Sequence, residues 1–287
     1  MAFPMDHIIH LSAPGMLRNT ISEFENMGFE VLLGGKHADG LTENALIVLD
    51  DGVYIELIQF IKEVEEYPEG SPERQARTSH WWASMKENGW IDYSLGDLTS
   101  ASDVSVAAAI NHKAEKDKVQ LRYDDGVEGG RVKPNGDILR WLVTFPAKQH
   151  KRGGVPFFCK DLTPRERRVP WSPGSAGSGS EARRRIAAVT LMTRRESLSK
   201  HIEEIRTALG ISPMPVQDRA PGAVWILDSP GARQSVRLEL ISAQSAEEVA
   251  WTETVDDIGV WEVTVHGRRP DETQVESRKT VGRLGWI

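Results

Sequence analysis

The sequence predicts an α+β fold built from repeated βαβββ modules. Residues 5–61 are typical of one strand, one helix with a single apolar face and three further strands. The same order returns at residues 184–243, where RLELI at 237–241 echoes YIELI at 54–58. A looser copy lies between them, at residues 89–161. Because one such unit leaves a side of its sheet open, each copy is expected to need a neighbour.

In the first module, residues 5–13 are predicted to form a strand that leads into an amphipathic helix. The apolar positions of this helix recur with the spacing of one helix face, and they are Leu17, Ile21, Phe24 and Met27. Gly28 follows where helices commonly end in the left-handed conformation. Three strands complete the module, at residues 29–33, 44–50 and 52–60.

The middle module is predicted to hold a strand at 89–95, a helix over 101–113 and strands at 119–123, 138–145 and 155–161. The third module begins with a strand at 184–192 and is followed by a tail strand at 260–267. The apolar face of its helix consists of Leu198, Ile202, Ile205 and Leu209.

Two segments are predicted to connect the modules. The first, at residues 62–82, is charged with scattered proline, and the second, SPGSAGSGSE at 172–181, has the composition of a flexible linker. The second segment predicts a division of the chain into residues 1–171, with the first two modules, and residues 182–287, with a degenerate third module and the tail strand.

Composition limits the possible partners and compartment. The 287 residues carry a formal net charge of −7, which argues against general binding to nucleic acid because that requires clustered Lys and Arg. The single cysteine, Cys159, excludes an internal disulfide and fits a reducing compartment. The chain has no apolar run long enough for a membrane span. We therefore expect a cytoplasmic protein with a small-molecule partner and no membrane contact.

Two histidines stand three positions apart in the first strand, MDHIIHLS. Side chains alternate across a strand, so His7 shares a face with Ile9 and Leu11, whereas His10 shares the other with Ile8. Both histidines can serve one site only if the strand bulges. Either His7 or His10 is therefore a candidate catalytic residue, and the other is expected to be structural.

Three carboxylates on predicted strands are further candidates. Glu56 lies between apolar residues on a strand predicted to be buried on both sides, so it needs a partner charge or a metal. Asp92 fits a polar wall of a binding site, although exposure to solvent explains it equally well. Glu239 shares its face with Arg237 and could simply pair with it.

Candidate substrate-binding residues include aromatic and basic side chains. Tyr54 shares a strand face with Glu56, and the aromatic residues Trp141 and Phe157 could line an apolar pocket or belong to the core. Arg140 could bind an anionic substrate, with a surface ion pair as the alternative. His37, in the loop GGKHADG, could close over a ligand or face solvent.

Five motifs together resemble the glyoxalase-like domain of fungal and bacterial proteins, a branch of the vicinal oxygen chelate superfamily. They are DHIIHL, GGKHADGLTENAL, DGVYIELIQF, GDILRWLVTFP and GGVPFFCKDLTPRERRVP. The resemblance covers most of residues 5–171 and, more weakly, 184–243. It implies cupped, antiparallel-rich mixed sheets in which the first two modules pair, and a small-molecule ligand inside the cup. Separately, the third module alone leaves an open sheet edge, which predicts a possible homodimer.

The resemblance also implies metal ligands and a reaction class. The His of a DH[IV] motif matches His7, and the Glu of an [IV]EL motif matches Glu56, a pair that suits divalent Zn, Fe, Mn or Ni. A fuller set could recruit Asp92 or Glu239, or the cup could hold no metal. The leading hypothesis is an isomerase or lyase acting on an oxygenated metabolite. The alternatives are metal-free binding of a small molecule and an iron-dependent dioxygenase, for which His266 would supply the extra imidazole.

Overall fold

The chain forms two mixed β-sheets that pack against each other. The structure, a computed structural model, describes residues 3–99, 104–133, 136–171, 184–216, 220–231, 235–267 and 282–287. Within these ranges, no helix is long and apolar enough to cross a membrane.

The first two modules form one eight-stranded sheet. The first module consists of β1 (Met5–Ser12), α1 (Leu17–Asn26), β2 (Leu32–Lys36), β3 (Thr42–Val48) and β4 (Tyr54–Phe60). A connecting segment holds α2 (Pro72–Ser79). The second module consists of β5 (Gly89–Gly96), α3 (Val106–Asp117), β6 (Val127–Val132), β7 (Ile138–Thr144) and β8 (Phe157–Asp161), and α4 (Arg165–Arg168) follows it.

The two modules are joined through their first strands and curve into a nearly closed barrel. The strand order is β2-β3-β4-β1-β5-β8-β7-β6, with β1 antiparallel to β5 and each first strand parallel to the last strand of its own module. The two ends of the sheet approach each other, and the backbone N–H of Ala38, just after β2, donates to the carbonyl of Gly130 in β6 at 2.9 Å. The predicted α+β fold with paired modules and a cupped sheet is confirmed.

One strand of the second module was predicted in the wrong place. At residues 119–123 only Tyr123 pairs, in an isolated bridge with Pro146, and the strand is β6 instead. The sequence pattern did not predict β6 because the strand contains Gly129 and Gly130, and glycine is depleted in strand interiors. The close approach of β7 explains them: a Cβ on Gly130 would lie 2.6 Å from a backbone carbonyl oxygen of β7.

The predicted helix at 101–113 is displaced toward the C-terminus. Residues 101–103 lie outside the described ranges, and α3 begins after Ser105, whose hydroxyl accepts a hydrogen bond from the N–H of Ala108 at 3.2 Å. The helix ends at Lys118, which adopts the left-handed conformation with φ of 57°. A serine N-cap thus sets the start of this helix.

The second sheet contains the third module and the tail strand. Its elements are β9 (Arg185–Thr193), α5 (Leu198–Leu209), β10 (Met214–Pro215), β11 (Gly222–Asp228), β12 (Ser235–Ser242), α6 (Ala246–Thr254), β13 (Ile258–His266) and β14 (Arg283–Trp286). The strand order is β10-β11-β12-β9-β13-β14. The tail strand β13 is antiparallel to β9 and parallel to β14, as β5 is to β1 and β8. The tail therefore repeats the pairing of the second module in shortened form.

Asp51, in the turn between β3 and β4, holds the two sheets together. Its carboxylate accepts the N–H of Val53 at 3.1 Å and the N–H of Ile186 in β9 at 3.2 Å, and its carbonyl accepts the N–H of Gly231 at 2.8 Å. The predicted linker 172–181 lies outside the described residues, so the division into residues 1–171 and 182–287 stays a prediction.

We expect Asp51 to make stability fall as the pH rises. Burial raises its pKa from 3.8 to about 7, so the folded chain keeps a proton that the unfolded chain loses. The free energy of unfolding should therefore decrease between about pH 4 and 7, by at most about 1.4 kcal/mol per pH unit.

Urea unfolding of wild type and Asp51→Asn across this range measures that contribution, which the variant should lack. Asp50→Asn, at an exposed neighbouring position, is the control and should keep the wild-type slope. An unchanged slope in Asp51→Asn would contradict the assignment.

Candidate active site

A cavity of about 550 Å³ lies inside the eight-stranded barrel. One part of its wall is polar and contains His7, His37, Asn44, Glu56 and Arg131. Another part is apolar and largely aromatic, and its members are Trp81, Trp82, Val143, Phe145 and Phe157. A cavity of this size, with a few polar groups on an apolar wall, is typical of small-molecule sites.

A bulge in β1 determines how His7 is held. The register between β1 and β5 shifts at Asp6, which has no Cα partner in β5. The carboxylate of Asp6 therefore reaches the ring of its neighbour in sequence, and Asp6 Oδ2 lies 2.6 Å from His7 Nδ1. An ionised carboxylate only accepts hydrogen bonds, so Nδ1 carries the proton and, in the neutral imidazole, Nε2 carries the lone pair.

Two arginines keep Asp6 ionised. Burial alone would raise the pKa of Asp6, but Arg168, Arg165 and the hydrogen bond from His7 lower it well below its usual range. Arg168 Nη2 lies 3.3 Å from Asp6 Oδ2, and Arg165 forms an ion pair with Asp6 Oδ1. Arg168 also donates to Asp161 at 2.6 and 2.9 Å. The proton on His7 Nδ1 is thus fixed by a buried charge network.

Glu56 lies opposite His7 at the polar end of the cavity. Its Oε2 is 3.6 Å from His7 Nε2, and its Oε1 is 3.6 Å from His37 Nε2. Asn44 Nδ2 donates to Glu56 Oε1 at 2.5 Å, and Arg131 Nη1 donates to Asn44 Oδ1 at 3.0 Å. The arginine therefore determines which end of the Asn44 amide faces Glu56.

The same contacts indicate which nitrogen of His37 carries the proton. Asn44 Nδ2 lies 3.2 Å from His37 Nε2, and because this amide nitrogen donates, Nε2 must accept. His37 Nδ1 then donates to the hydroxyl of Thr42 at 2.7 Å. Burial lowers the pKa of His37 and favours the neutral ring. His7 and His37 each direct a basic nitrogen toward Glu56.

Aromatic side chains fix the position of His7. Its ring stacks on Tyr54 with centroids 4.6 Å apart, and Phe157 meets it edge-on at 5.3 Å. The hydroxyl of Tyr54 accepts a hydrogen bond from Arg168 Nη1 at 2.5 Å. Tyr54 and Phe157, both predicted as substrate-binding residues, line the cavity beside His7.

Two further predicted residues lie nearer the exposed edge strands. Trp141 lines the cavity and meets the ring of His37 edge-on at 6.0 Å. Arg140 also lines it, but its guanidinium forms hydrogen bonds with Glu128 at 2.5 and 2.8 Å and is half-exposed. Its position is therefore that of a surface ion pair at the edge of the cavity.

His10 and Asp92 do not line the cavity. His10 is fully buried on the opposite face of β1, where its ring meets Phe24 of α1 and Trp90 of β5 edge-on. Asp92 is buried behind the wall and accepts hydrogen bonds from Trp82 Nε1 at 2.9 Å and from two backbone N–H groups. Its carboxylate is thereby turned away from the cavity.

Glu239 and His266 lie in the six-stranded sheet and do not line the cavity. Glu239 Oε1 is 2.6 Å from Arg237 Nη2, the ion pair considered from the sequence. His266 ends β13 opposite Arg185. The structure thus does not bring either residue to His7 and Glu56, because the strands that carry them belong to the other sheet.

Several side chains of the site were missed from the sequence. Asp6 stands directly before His7, but its role depends on the bulge, and Asn44 and Arg131 are brought together from strands 87 residues apart in sequence. Trp81 and Trp82 belong to the segment predicted only as a charged connection. The adjacent tryptophans after α2 could have predicted that this segment packs against the site, since two large apolar side chains in a charged segment indicate a packing role.

The polar side chains of the cavity can be judged as ligands for a divalent metal. In the described ranges, no three His, Cys, Asp or Glu side chains form a group that could hold a metal ion. By strand register, Ser94 and Cys159 take the places in the second module that His7 and Glu56 take in the first. Burial raises the pKa of Cys159 to about 12, so its thiol is protonated at neutral pH. His7, His37 and Glu56 are the nearest set of donors, but as placed they do not form a group that holds a divalent metal.

Comparison with known families agrees with the fold. A family profile described as a glyoxalase-like domain matches residues 5–207, from β1 into α5. The chain belongs to the glyoxalase-like domain family. The matched span contains His7, Glu56 and every other side chain that lines the cavity of this glyoxalase-like protein. No curated protein matches the sequence.

Solved structures share the fold of this glyoxalase-like protein. A hypothetical protein from Staphylococcus aureus aligns over 100% of both chains with 13% identity and a TM-score of 0.62. A mutant of 4-hydroxymandelate synthase from Streptomyces coelicolor aligns over 92% of this chain and 71% of its own, with 11% identity and a TM-score of 0.50. At these identities the likeness shows the fold alone.

Gly34 is expected to be required for the Asn44–Arg131 contact. A Cβ on Gly34 would overlap with Asn44 Oδ1 and with Arg131 Nη1. The Gly34→Ala variant should therefore push these groups apart and lower the free energy of unfolding by about 1 to 3 kcal/mol. Urea unfolding measures this loss. Gly89→Ala, where an added Cβ meets nothing within 4 Å, is the matched control, and equal losses in the two variants would contradict the prediction.

Proposed function

We propose that this glyoxalase-like protein is a small-molecule enzyme that moves a proton on an oxygenated metabolite, in an isomerase or lyase reaction. The observation that supports this most is the contact series Asp6–His7–Glu56 in the wall of the cavity. A carboxylate that holds an imidazole in one tautomer is a common arrangement for general base catalysis.

In this proposal His7 Nε2 removes a proton from the carbon next to a substrate carbonyl. The electron pair of that C–H bond remains on the substrate as an enolate, whose oxygen would be stabilised by a cationic wall. Arg131, which lines the cavity and contacts Glu56 through Asn44, supplies such a charge. The proton then returns to the substrate or leaves with a departing group, which distinguishes an isomerase from a lyase.

The aromatic wall supports a substrate with an apolar body. Trp81 stacks on Phe145 with centroids 4.6 Å apart, and Phe145 stacks on Phe157 at 4.9 Å. These rings lead toward His7, which meets Phe157 edge-on. A molecule with a flat or apolar part and an oxygenated end would place that end at His7 and Glu56. The same wall favours the second candidate function, metal-free binding without catalysis.

Hydrogen exchange in D₂O tests the proposal. The protein is incubated with aryl-substituted 2-oxo acids and 2-hydroxy ketones, and deuterium incorporation is followed by proton NMR. We expect exchange next to the carbonyl of at least one compound, and a loss of exchange in His7→Gln, which removes the proposed base. Binding to the protein without exchange would support the binding function instead.

The metal alternatives are tested on the same samples. Elemental analysis of natively purified protein should find no stoichiometric metal. Exchange should also be unchanged by chelation and by re-addition of Zn, Fe, Mn or Ni. Stoichiometric metal with restored activity, or iron-dependent oxygen consumption, would instead support a metalloenzyme, with His7, His37 and Glu56 as the nearest donors. Homodimer formation remains a prediction, which a measurement of molar mass by light scattering tests.

A further inference from the structure

A second cavity, of about 690 Å³, lies between the two sheets. Its walls come from residues 78–85 at and after the end of α2, the loop 148–155 before β8, the start of α5, and residues 256–258 at the start of β13. We call this cavity the intersheet crevice. His80 and Trp81 line both the crevice and the cavity of the candidate active site.

The intersheet crevice carries an excess of positive charge. Its walls contain five cationic and three anionic side chains, namely Lys148, Lys151, Arg152, Arg194 and Lys200, and Glu204, Asp256 and Asp257. This excess stands out in a chain whose formal net charge is −7. A concave, positively charged wall attracts anions and raises their local concentration.

The carboxylates of the crevice are already paired. His201 Nδ1 lies 2.7 Å from Glu204 Oε2, and His201 Nε2 lies 2.9 Å from Asp257 Oδ2. Lys151 Nζ lies 3.4 Å from Asp256. Burial alone would lower the pKa of His201. The contacts with Glu204 and Asp257 favour the charged ring and raise this pKa.

Three cations of the crevice have no such partner. Among the described residues, no carboxylate lies within 4.0 Å of the charged nitrogens of Lys148, Arg152 or Arg194. Lys148 Nζ instead lies 5.9 Å from the ring centroid of Trp81. The crevice thus offers three charged donors, Lys148 and Arg152 from the loop before β8 and Arg194 from the residue after β9.

Arg152 gives the strongest indication of a ligand. Only 7% of this residue is exposed, and its guanidinium lies 4.9 Å from the ring centroid of Phe145 and 5.3 Å from that of Trp81. Its Nη1 is enclosed and has no hydrogen-bond partner among the described residues. The buried carboxylate of Asp92 acts on this charge, but no carboxylate among the described residues lies within 4.0 Å of it, so an anion bound in the crevice beside Arg152 would supply a direct counter-charge.

We propose that the intersheet crevice binds an oxyanion of the phosphate type, held by Arg152, Arg194 and Lys148. Phosphate oxygens accept several charge-assisted hydrogen bonds at once, and the planar guanidinium matches their spacing. This site is separate from His7 and Glu56, so it does not depend on the proposed proton transfer.

Calorimetric titration with inorganic phosphate at constant ionic strength tests the site. We expect saturable binding of one phosphate per chain, weakened on the order of tenfold or more in Lys148→Ala/Arg194→Ala. Lys148 is exposed and Arg194 partly so, hence this variant should fold as wild type does. Circular dichroism and the melting temperature check that it does.

The control is Arg18→Ala/Lys116→Ala, which removes two exposed cations from α1 and α3. Equal weakening in this control, or no saturable binding of phosphate or of a monoester, would overturn the proposal. A parallel titration with glycerol 3-phosphate identifies the source of the anion. Tighter binding of the ester supports a phosphorylated metabolite, and tighter binding of inorganic phosphate supports the free ion.

Discussion

Replacement of His7 by glutamine is expected to abolish proton transfer while the fold is retained. The reaction needs the lone pair on His7 Nε2, which an amide does not provide, and loss of a general base commonly slows a reaction on the order of a hundred- to ten-thousand-fold. Glutamine occupies much of the space beside Tyr54, so the fold should be retained. Deuterium exchange and urea unfolding of the same preparation separate the two effects.

His10→Ala is the control for this prediction. His10 packs between Phe24 and Trp90 on the other face of β1, so its replacement should lower the free energy of unfolding by about 1 to 3 kcal/mol. Exchange by the folded fraction should stay near the wild-type rate. If His10→Ala lost exchange while its stability held, and His7→Gln lost only stability, the assignment of His7 would be wrong.

Replacement of Arg168 by methionine is expected to cause a large loss of stability. Arg168 is buried and contacts Asp6, Asp161 and the hydroxyl of Tyr54. Removal of this cation leaves two carboxylates short of their partner, a change that costs about 3 to 5 kcal/mol in buried networks. Urea unfolding near pH 7 measures the loss. Arg140→Ala, which breaks an exposed pair with Glu128, is the control and should change stability little.

The same network predicts a dependence on acid. The pKa of Asp6 is lowered in the folded chain, so its contribution to stability is fully present above its unfolded pKa of about 4 and is lost as the pH falls below it. Arg168→Met should weaken this dependence. A variant that remains as stable as wild type, or keeps the full acid sensitivity, would contradict the role assigned to Arg168.

Local patterns in the sequence were sufficient for the module order and for two residues of the site. The apolar face of α1 and the short apolar runs of β1 and β4 predict their elements, because such patterns are properties of neighbouring residues. His7 and Glu56 follow from motifs within those strands, and the structure places them 3.6 Å apart. The strand β6 was missed because its glycines serve a contact with β7 that local propensity does not express.

The sequence by itself determined that this protein is built from βαβββ modules and that His7 or His10, together with Glu56, are the groups to consider. Only the tertiary structure decided between the histidines, because alternation in a strand with apolar residues on both faces permits either orientation. The bulge that joins Asp6 to His7 depends on pairing with β5. The approach of Arg131 to Asn44 depends on the barrel bringing its two ends together. Such contacts between distant segments arise from the packing of whole sheets, which no short stretch of sequence encodes.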